Sequence, residues 1–300
     1  MKVMITGANG QLGQAVFRAV KEKDQFRLCD IHSDFLLKGY NDYYCNLDIT
    51  KADELRKLIA EFGPDYIVNC AAFTNVDACE TEKELSWNVN VKAVEQLAYL
   101  SRIYHYHLIH ISTDYVFDGL EGPYSENDRP NPISFYGKEK LASENAVLNE
   151  AEAYTIIRTN VLFDYYPGIG DNFFTWLIKK LFKGEAVRIV SDQFNNPNYA
   201  YDLAKMIYYI MERGVQGVYH CGGEEYMSRY ELAIKAAEWL DLDKSLITPV
   251  LTSEFKQAAK RPLRGGLKID KAKRDLGYRP TSLHTSLQVL HRKLMEEGEF

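Results

Sequence analysis

The chain of 300 residues lacks several features that would place it in familiar classes. Its cysteines are few and unpaired in pattern: Cys29, Cys45, Cys70, Cys79 and Cys221 are odd in number, and none forms a CxxC pair. A disulfide framework is therefore not expected, and a reduced, intracellular protein fits best. No apolar run approaches the length of a membrane span. Residues 1–6 run directly into glycines, without the apolar stretch or cleavage site of a signal peptide. The cytoplasm is the expected location. Positive charge is not in excess either: 36 basic against 42 acidic residues give −6, so no nucleic-acid or membrane partner is expected. Internal repeats, charge blocks and low-complexity linkers are absent. No metal set stands out. Asp77, Glu80 and Glu82 read as a charged helix start, and His105, His107 and His110 lack a carboxylate or cysteine to complete a zinc site.

What is present is an alternation of short apolar runs with longer amphipathic ones. Strands are expected at residues 2–6, 26–30, 66–70, 107–112 and 154–158. Helices are expected at 11–22, 53–62, 82–104 and 136–149, the second stopped by Gly63-Pro64. Strand and helix repeating in this order predict an α/β fold, a Rossmann-type doubly wound parallel sheet. After Arg158 the pattern loosens. Helices are expected at 173–182, 201–213, near 228–240 and after Thr281, strands at 187–190 and 217–220, and a loop at 195–198. This half predicts a smaller mixed α/β substrate-binding cap. The expected division is a dinucleotide-binding domain at 1–160, with segments returning to it within about 186–220, and a cap mainly at 161–300.

Gly7, Gly10 and Gly13 form GxxGxxG between the first strand and first helix. Glycines there allow a tight turn and close approach to a pyrophosphate, which meets the free N–H groups of the helix. Asp30 closes the second strand. A carboxylate there accepts hydrogen bonds from the adenosine ribose hydroxyls and favours NADH over NADPH; His32 nearby keeps NADPH open.

Tyr136 and Lys140 form YxxxK, and residues four apart share one helix face. The ammonium is expected to lower the phenol's pKa, so that the phenol exchanges a proton with a substrate oxygen as hydride moves. Lys140 would also hold the nicotinamide ribose. Upstream, a strand ends in Ser112-Thr113-Asp114, where Thr113 would orient a substrate carbonyl. Lys260, Arg261 and Arg264 make a basic loop beside Gly265-Gly266. Arg261 is the preferred candidate to clamp a substrate diphosphate, the alternative being a solvated loop.

Together these motifs resemble the extended short-chain dehydrogenase/reductases, and within them the dTDP-4-dehydrorhamnose reductase family. The resemblance is carried by Cys29-Asp30-Ile31-His32-Ser33, by the run from Pro64 through Ala71-Ala72-Phe73-Thr74-Asn75-Val76 to Asp77, and by Ser112-Thr113-Asp114-Tyr115-Val116-Phe117-Asp118-Gly119. Pro123-Tyr124-Ser125-Glu126, Tyr136 to Leu141 and Arg158-Thr159 continue it. The match is collinear over roughly 1–160 and thinner afterwards.

The resemblance implies that Gly10, Gln11 and Leu12 contact the cofactor pyrophosphate, Asp30 the ribose, and Asp48 and Ile49 the adenine. It implies Ala71, Ala72 and Phe73 along the cofactor and Asn88 behind the nicotinamide. Thr113, Tyr136 and Lys140 would be catalytic; Thr74, Val76, Thr113, Asp114 and Arg261 would meet a nucleotide-sugar substrate. The implied reaction is NADH- or NADPH-dependent reduction of a C4 keto group, and a homodimer is compatible with the family.

Three departures fall on the substrate side. Val161 replaces an aromatic residue, Asn195-Asn196-Pro197-Asn198 stands for Gly-x-Pro-Thr, and Gly265 replaces a serine. Two other functions share the motifs. A nucleotide-sugar epimerase would retain its NAD; a regulatory subunit resembling the methionine adenosyltransferase β subunit would bind a dinucleotide without turnover. A 4,6-dehydratase is disfavoured, because Asp114 is followed by Tyr115 and not by a second acid.

Overall fold

The computed structural model describes residues 1–20, 25–37 and 39–299. Its centre is a seven-stranded, wholly parallel sheet. The strands are β1 (Lys2–Thr6), β2 (Gln25–Asp30), β3 (Tyr44–Asn46), β4 (Tyr66–Asn69), β5 (His107–Thr113), β6 (Ala153–Thr159) and β7 (Gly217–Cys221), in the order β7-β6-β5-β4-β1-β2-β3. The order reverses between β1 and β4. In such sheets the crevice for a ligand opens at that switch point, outside the carboxyl ends of the strands.

Helices cover both faces because the strands are apolar on both. On one side α1 (Gln11–Val20) packs with α8 (Ala200–Arg213) over Ile5, Leu28, Val68 and Ile157. On the other, α2 (Ala52–Phe62), α5 (Ala93–Tyr104) and α6 (Phe135–Glu150) bury Met4, Ile67, Leu108 and Ile156. A separate core forms beyond the sheet from α7 (Phe173–Phe182), α9 (Arg229–Trp239) and α11 (Leu283–Glu296). Strand Val187–Val190 pairs there with Ile247–Val250 and does not rejoin the main sheet, so β7 is the returning strand.

Most sequence-based boundaries agree within one or two residues; residues 21 and 22 of the first expected helix lie outside the described residues. Three differ more. The helix expected from Glu82 begins at Lys83, after a separate helix α3 (Val76–Thr81); it runs through α4 (Lys83–Trp87) and a wider π-helical turn, Asn88–Lys92, into α5. Strand β3 was not expected, since Tyr-Cys-Asn carries no apolar alternation. The expected loop at 195–198 contains parts of two short strands, Phe194–Asn195 and Asn198–Tyr199. Its amides are buried: Asn196 donates to Gly223 O at 2.7 Å and Leu267 O at 2.9 Å, and accepts from Leu267 N at 2.9 Å and Asn160 Nδ2 at 2.7 Å. Among the described residues no helix is long and apolar enough to cross a membrane.

Candidate active site

The glycine turn has the shape its sequence predicts. Gly7 adopts φ +65°, and a Cβ on Gly13 would lie 2.2 Å from Gly7 O, so the first turn of α1 presses onto the β1 tip. Gln11 Nε2 is buried there without a hydrogen-bond partner. A helix start with an orphaned donor fits a dinucleotide's pyrophosphate in charge and in hydrogen-bonding capacity. Asp30 reaches back to this turn, its carboxylate accepting from Asn9 N at 3.0 Å.

Other expected cofactor residues fall along the same edge. Ile49 is buried, and Asp48 accepts from Thr50 N at 2.9 Å and Thr50 Oγ1 at 2.7 Å. Ala71, Ala72 and Phe73 follow β4 and are half-buried, whereas Thr74 is exposed. Asn88 departs from this group. It is exposed and lines a groove with Ile49, Thr50 and Asn145. The buried asparagine is Asn90, two residues on. Its side chain accepts from Phe73 N at 2.9 Å and donates to Phe73 O at 3.0 Å and to Glu139 at 2.9 Å. A two-residue offset on a helix turns the side chain to another face, and nothing local in Asn-Val-Asn tells the two apart.

Thr113 ends β5 and caps the short turn Asp114–Val116, its Oγ1 accepting from Tyr115 N at 3.2 Å. Ser134 caps α6 by accepting from Gly137 N at 3.1 Å, which fixes where Tyr136 emerges. Gly137 is required by contact: a Cβ there would lie 2.2 Å from Tyr115 O. The helix therefore sits against the Thr113 turn, and the Tyr136 ring meets Tyr115 edge-on, centroids 6.0 Å apart. Lys140 is buried one turn later, 2% exposed, with Nζ 3.3 Å from His110 Nε2.

Burial dominates the electrostatics here. The Tyr136 phenol is pushed upward by desolvation, then by Cys79, Tyr115, Asp114 and Glu139. The expected lowering of this phenol by Lys140 is not found: burial and the acidic and phenolic groups around it all push it up. Lys140 itself is brought down to about 8 by desolvation, against the opposing pull of Glu144 and Glu139. Asp114 is raised to about 6 by burial, although it accepts from Gly266 N at 3.1 Å. A phenol that keeps its proton suits an acid better than a base.

Arg261 is drawn to the same side, but it pairs with Asp77 at 2.7 Å and donates to Ala259 O at 3.3 Å. Val76 begins α3, half-buried beside Asp77. Behind the site, Glu144 receives Arg158 at 2.7 Å and Ser112 at 2.5 Å, a buried network on which sequence reasoning had placed no role.

Comparison with known proteins agrees with this geometry. The model of the RmlD substrate binding domain matches residues 1–295. The chain belongs to that family. The dTDP-4-dehydrorhamnose reductase of Aggregatibacter actinomycetemcomitans is 30% identical over 299 residues, covering 96% of this chain and 97% of its own. Methionine adenosyltransferase 2 subunit beta of Danio rerio is 33% identical, covering 90% and 83%. Among solved structures, the dTDP-4-dehydrorhamnose reductase of Bacillus anthracis str. Ames in complex with NADP superposes with a TM-score of 0.87 at 31% identity, covering 97% of this chain and 99% of that one.

Proposed function

We propose that the chain is an NAD(P)H-dependent oxidoreductase that reduces the C4 keto group of a nucleotide sugar, with dTDP-4-dehydro-L-rhamnose converted to dTDP-L-rhamnose. One observation carries this reading: the Thr113 turn meets Tyr136, with Lys140 buried one turn later on the same helix, at the carboxyl edge of a parallel sheet whose switch point opens on a glycine turn. The similarity to named reductases over nearly the whole chain supports it.

When bound, a reduced nicotinamide dinucleotide supplies the hydride. Thr113 donates its hydroxyl hydrogen to the keto oxygen and orients it. Tyr136 then gives its phenolic proton to that oxygen as the C–O double bond becomes single. Lys140, an ammonium below about pH 8, stabilises the phenolate left behind and holds the nicotinamide ribose. Asp114 accepts from the sugar, Thr74 and Val76 line its approach, and Arg261 meets the diphosphate with the N–H groups that Asp77 and Ala259 leave over. Gly7, Gly10, Gln11, Leu12 and Gly13 cradle the pyrophosphate. Asp30 receives the ribose hydroxyls, which favours NADH. The setting we infer is cytoplasmic, and a homodimer is compatible with it.

A second reading, a dinucleotide-binding regulatory subunit, is favoured by the 33% identity to methionine adenosyltransferase 2 subunit beta. A panel of nucleotide 4-keto sugars, followed by nicotinamide absorbance with each cofactor, separates the two. Turnover with a dTDP-linked substrate supports the reductase. No turnover, together with a stable complex with a methionine adenosyltransferase catalytic subunit, overturns it. Stoichiometric NAD retained through purification would point instead to an epimerase.

A further inference from the structure

Thr6, Asn69 and His110 are register partners across three adjacent strands, β1, β4 and β5. All three are buried, and their side chains form a continuous row. Thr6 Oγ1 lies 2.6 Å from Asn69 Oδ1, and Asn69 Nδ2 lies 3.3 Å from His110 Nδ1. His110 Nε2 faces Ser143 Oγ at 3.0 Å and Lys140 Nζ at 3.3 Å, both on α6. Ser143 Oγ in turn donates to Lys140 O at 2.8 Å. Nothing in hydride or proton transfer uses Thr6, Asn69 or His110. Burying four polar side chains behind a catalytic lysine has a cost unless each finds its partner.

We propose that His110 is a positioning residue for Lys140, and that the row changes between two hydrogen-bond arrangements as Lys140 gains or loses its proton. Its kinetic consequence rests on the reductase reading; the arrangement itself does not.

Donors and acceptors along the row must pair one for one. A neutral imidazole has one of each. An ammonium at Lys140 only donates, so Nε2 must then be bare and Nδ1 must carry the hydrogen. Asn69 must offer its carbonyl oxygen to Nδ1–H, and its amide nitrogen turns toward Thr6. This arrangement withdraws from the Thr6 hydroxyl hydrogen its acceptor on Asn69. Once Lys140 is a neutral amine, that demand lapses. Nε2–H donates to Ser143 Oγ, Nδ1 accepts from Asn69 Nδ2, and Asn69 Oδ1 accepts from Thr6. Every group in the row is then satisfied.

The surroundings set where the change falls. Burial, and then the charge of Lys140, hold His110 well below its usual range, so the ring stays neutral. The charged groups acting on Lys140 are Glu144 and Glu139 from α6, which favour the ammonium, and Glu144 is itself paired with Arg158 of β6 at 2.7 Å. The Tyr136 phenol lies one turn earlier on α6. On this balance Lys140 loses its proton at about pH 8.

The test is a titration of the intact protein carrying ¹⁵N-labelled histidine, reading the ring nitrogens of His110 from about pH 6 to about pH 10. The proton is expected on Nδ1 at the low end and on Nε2 at the high end, with a midpoint near 8. Lys140→Met is expected to leave one tautomer throughout. A ring that keeps a single tautomer in the wild type, or a midpoint that survives in Lys140→Met, overturns the proposal.

Kinetics give a second readout. His110→Gln keeps an acceptor near Nε2 and is expected to preserve the alkaline limb of kcat/KM, whereas His110→Phe moves it down by about one pH unit. Equal shifts in both variants would contradict a positioning role. If the wild type reduces no sugar, the reductase reading fails, and the nitrogen titration still decides this one.

Discussion

Arg261 gives one arm of its guanidinium to Asp77 at 2.7 Å, which fastens the basic loop to the helix that follows Thr74. The arginine is the more buried partner, its side chain 12% exposed against 41% for Asp77. Two of its donors are engaged, by Asp77 and Ala259, out of the five that an arginine carries. The pair therefore holds the side chain in place and leaves donors for a phosphate. Arg261→Ala is expected to raise KM for a dTDP sugar by about tenfold or more, the scale of one charged hydrogen bond, with kcat changed less. Steady-state kinetics check this. An unchanged KM would mean that Arg261 serves the Asp77 contact alone.

Tyr136→Phe removes the acid and leaves the ring that packs on Tyr115. Turnover is expected to fall by about 10²–10⁴, the usual range for loss of a general acid. Cofactor affinity, measured by fluorescence titration, should stay within about twofold. Full activity in this variant would assign the proton to another group.

Asp30 is held at the glycine turn by Asn9 N. Asp30→Ala should weaken NADH more than NADPH, because the substitution removes both the ribose acceptor and the charge that repels a 2′-phosphate. Calorimetric titration with each cofactor checks the difference. Equal losses would place the carboxylate away from the ribose.

The pH dependence follows from Lys140. Burial brings it to about 8, below the ordinary lysine value, so the ammonium that supports Tyr136 persists below that pH and is lost above it. For reduction, kcat/KM should decline above pH 8, approaching about tenfold per pH unit. A profile still flat about two pH units higher would show that the lysine's charge is not needed.

Asn196 is a test of stability and not of chemistry. Removing its amide in Asn196→Ala strands Asn160 Nδ2, Leu267 N and two carbonyls that it now satisfies. A loss of about 3 kcal/mol or more is expected in urea unfolding, since each stranded group carries part of its desolvation cost.

Asn196 also shows where reading the sequence stops. Asn-Asn-Pro-Asn has the composition of a loop, but its partners lie at Gly223 and Leu267, far along the chain, and no local pattern marks them. His110 is similar: its side-chain partners come from a neighbouring strand and a helix, at Asn69, Lys140 and Ser143. By contrast, Gly7 and Gly13 were legible because a turn that tight excludes a Cβ whatever surrounds it. The strand and helix alternation of the first half was legible for the same local reason, apart from the short elements β3 and α3; in the second half strand Ile247–Val250 and helix Asp270–Leu276 were not. The upward push of burial on Tyr136 was not legible, because the spacing of Tyr136 and Lys140 gives a shared helix face and says nothing of burial.

Hydride transfer to C4 of a nucleotide sugar, with Tyr136 as the proton donor, can be followed atom by atom. The most direct measurement uses cofactor carrying deuterium at its transferable position, with the dTDP 4-keto-6-deoxy sugar, and locates the label by NMR. Deuterium is expected at C4 of the product from the wild type and almost none from Tyr136→Phe over the same interval. No label in the sugar, or label at another carbon, would contradict it.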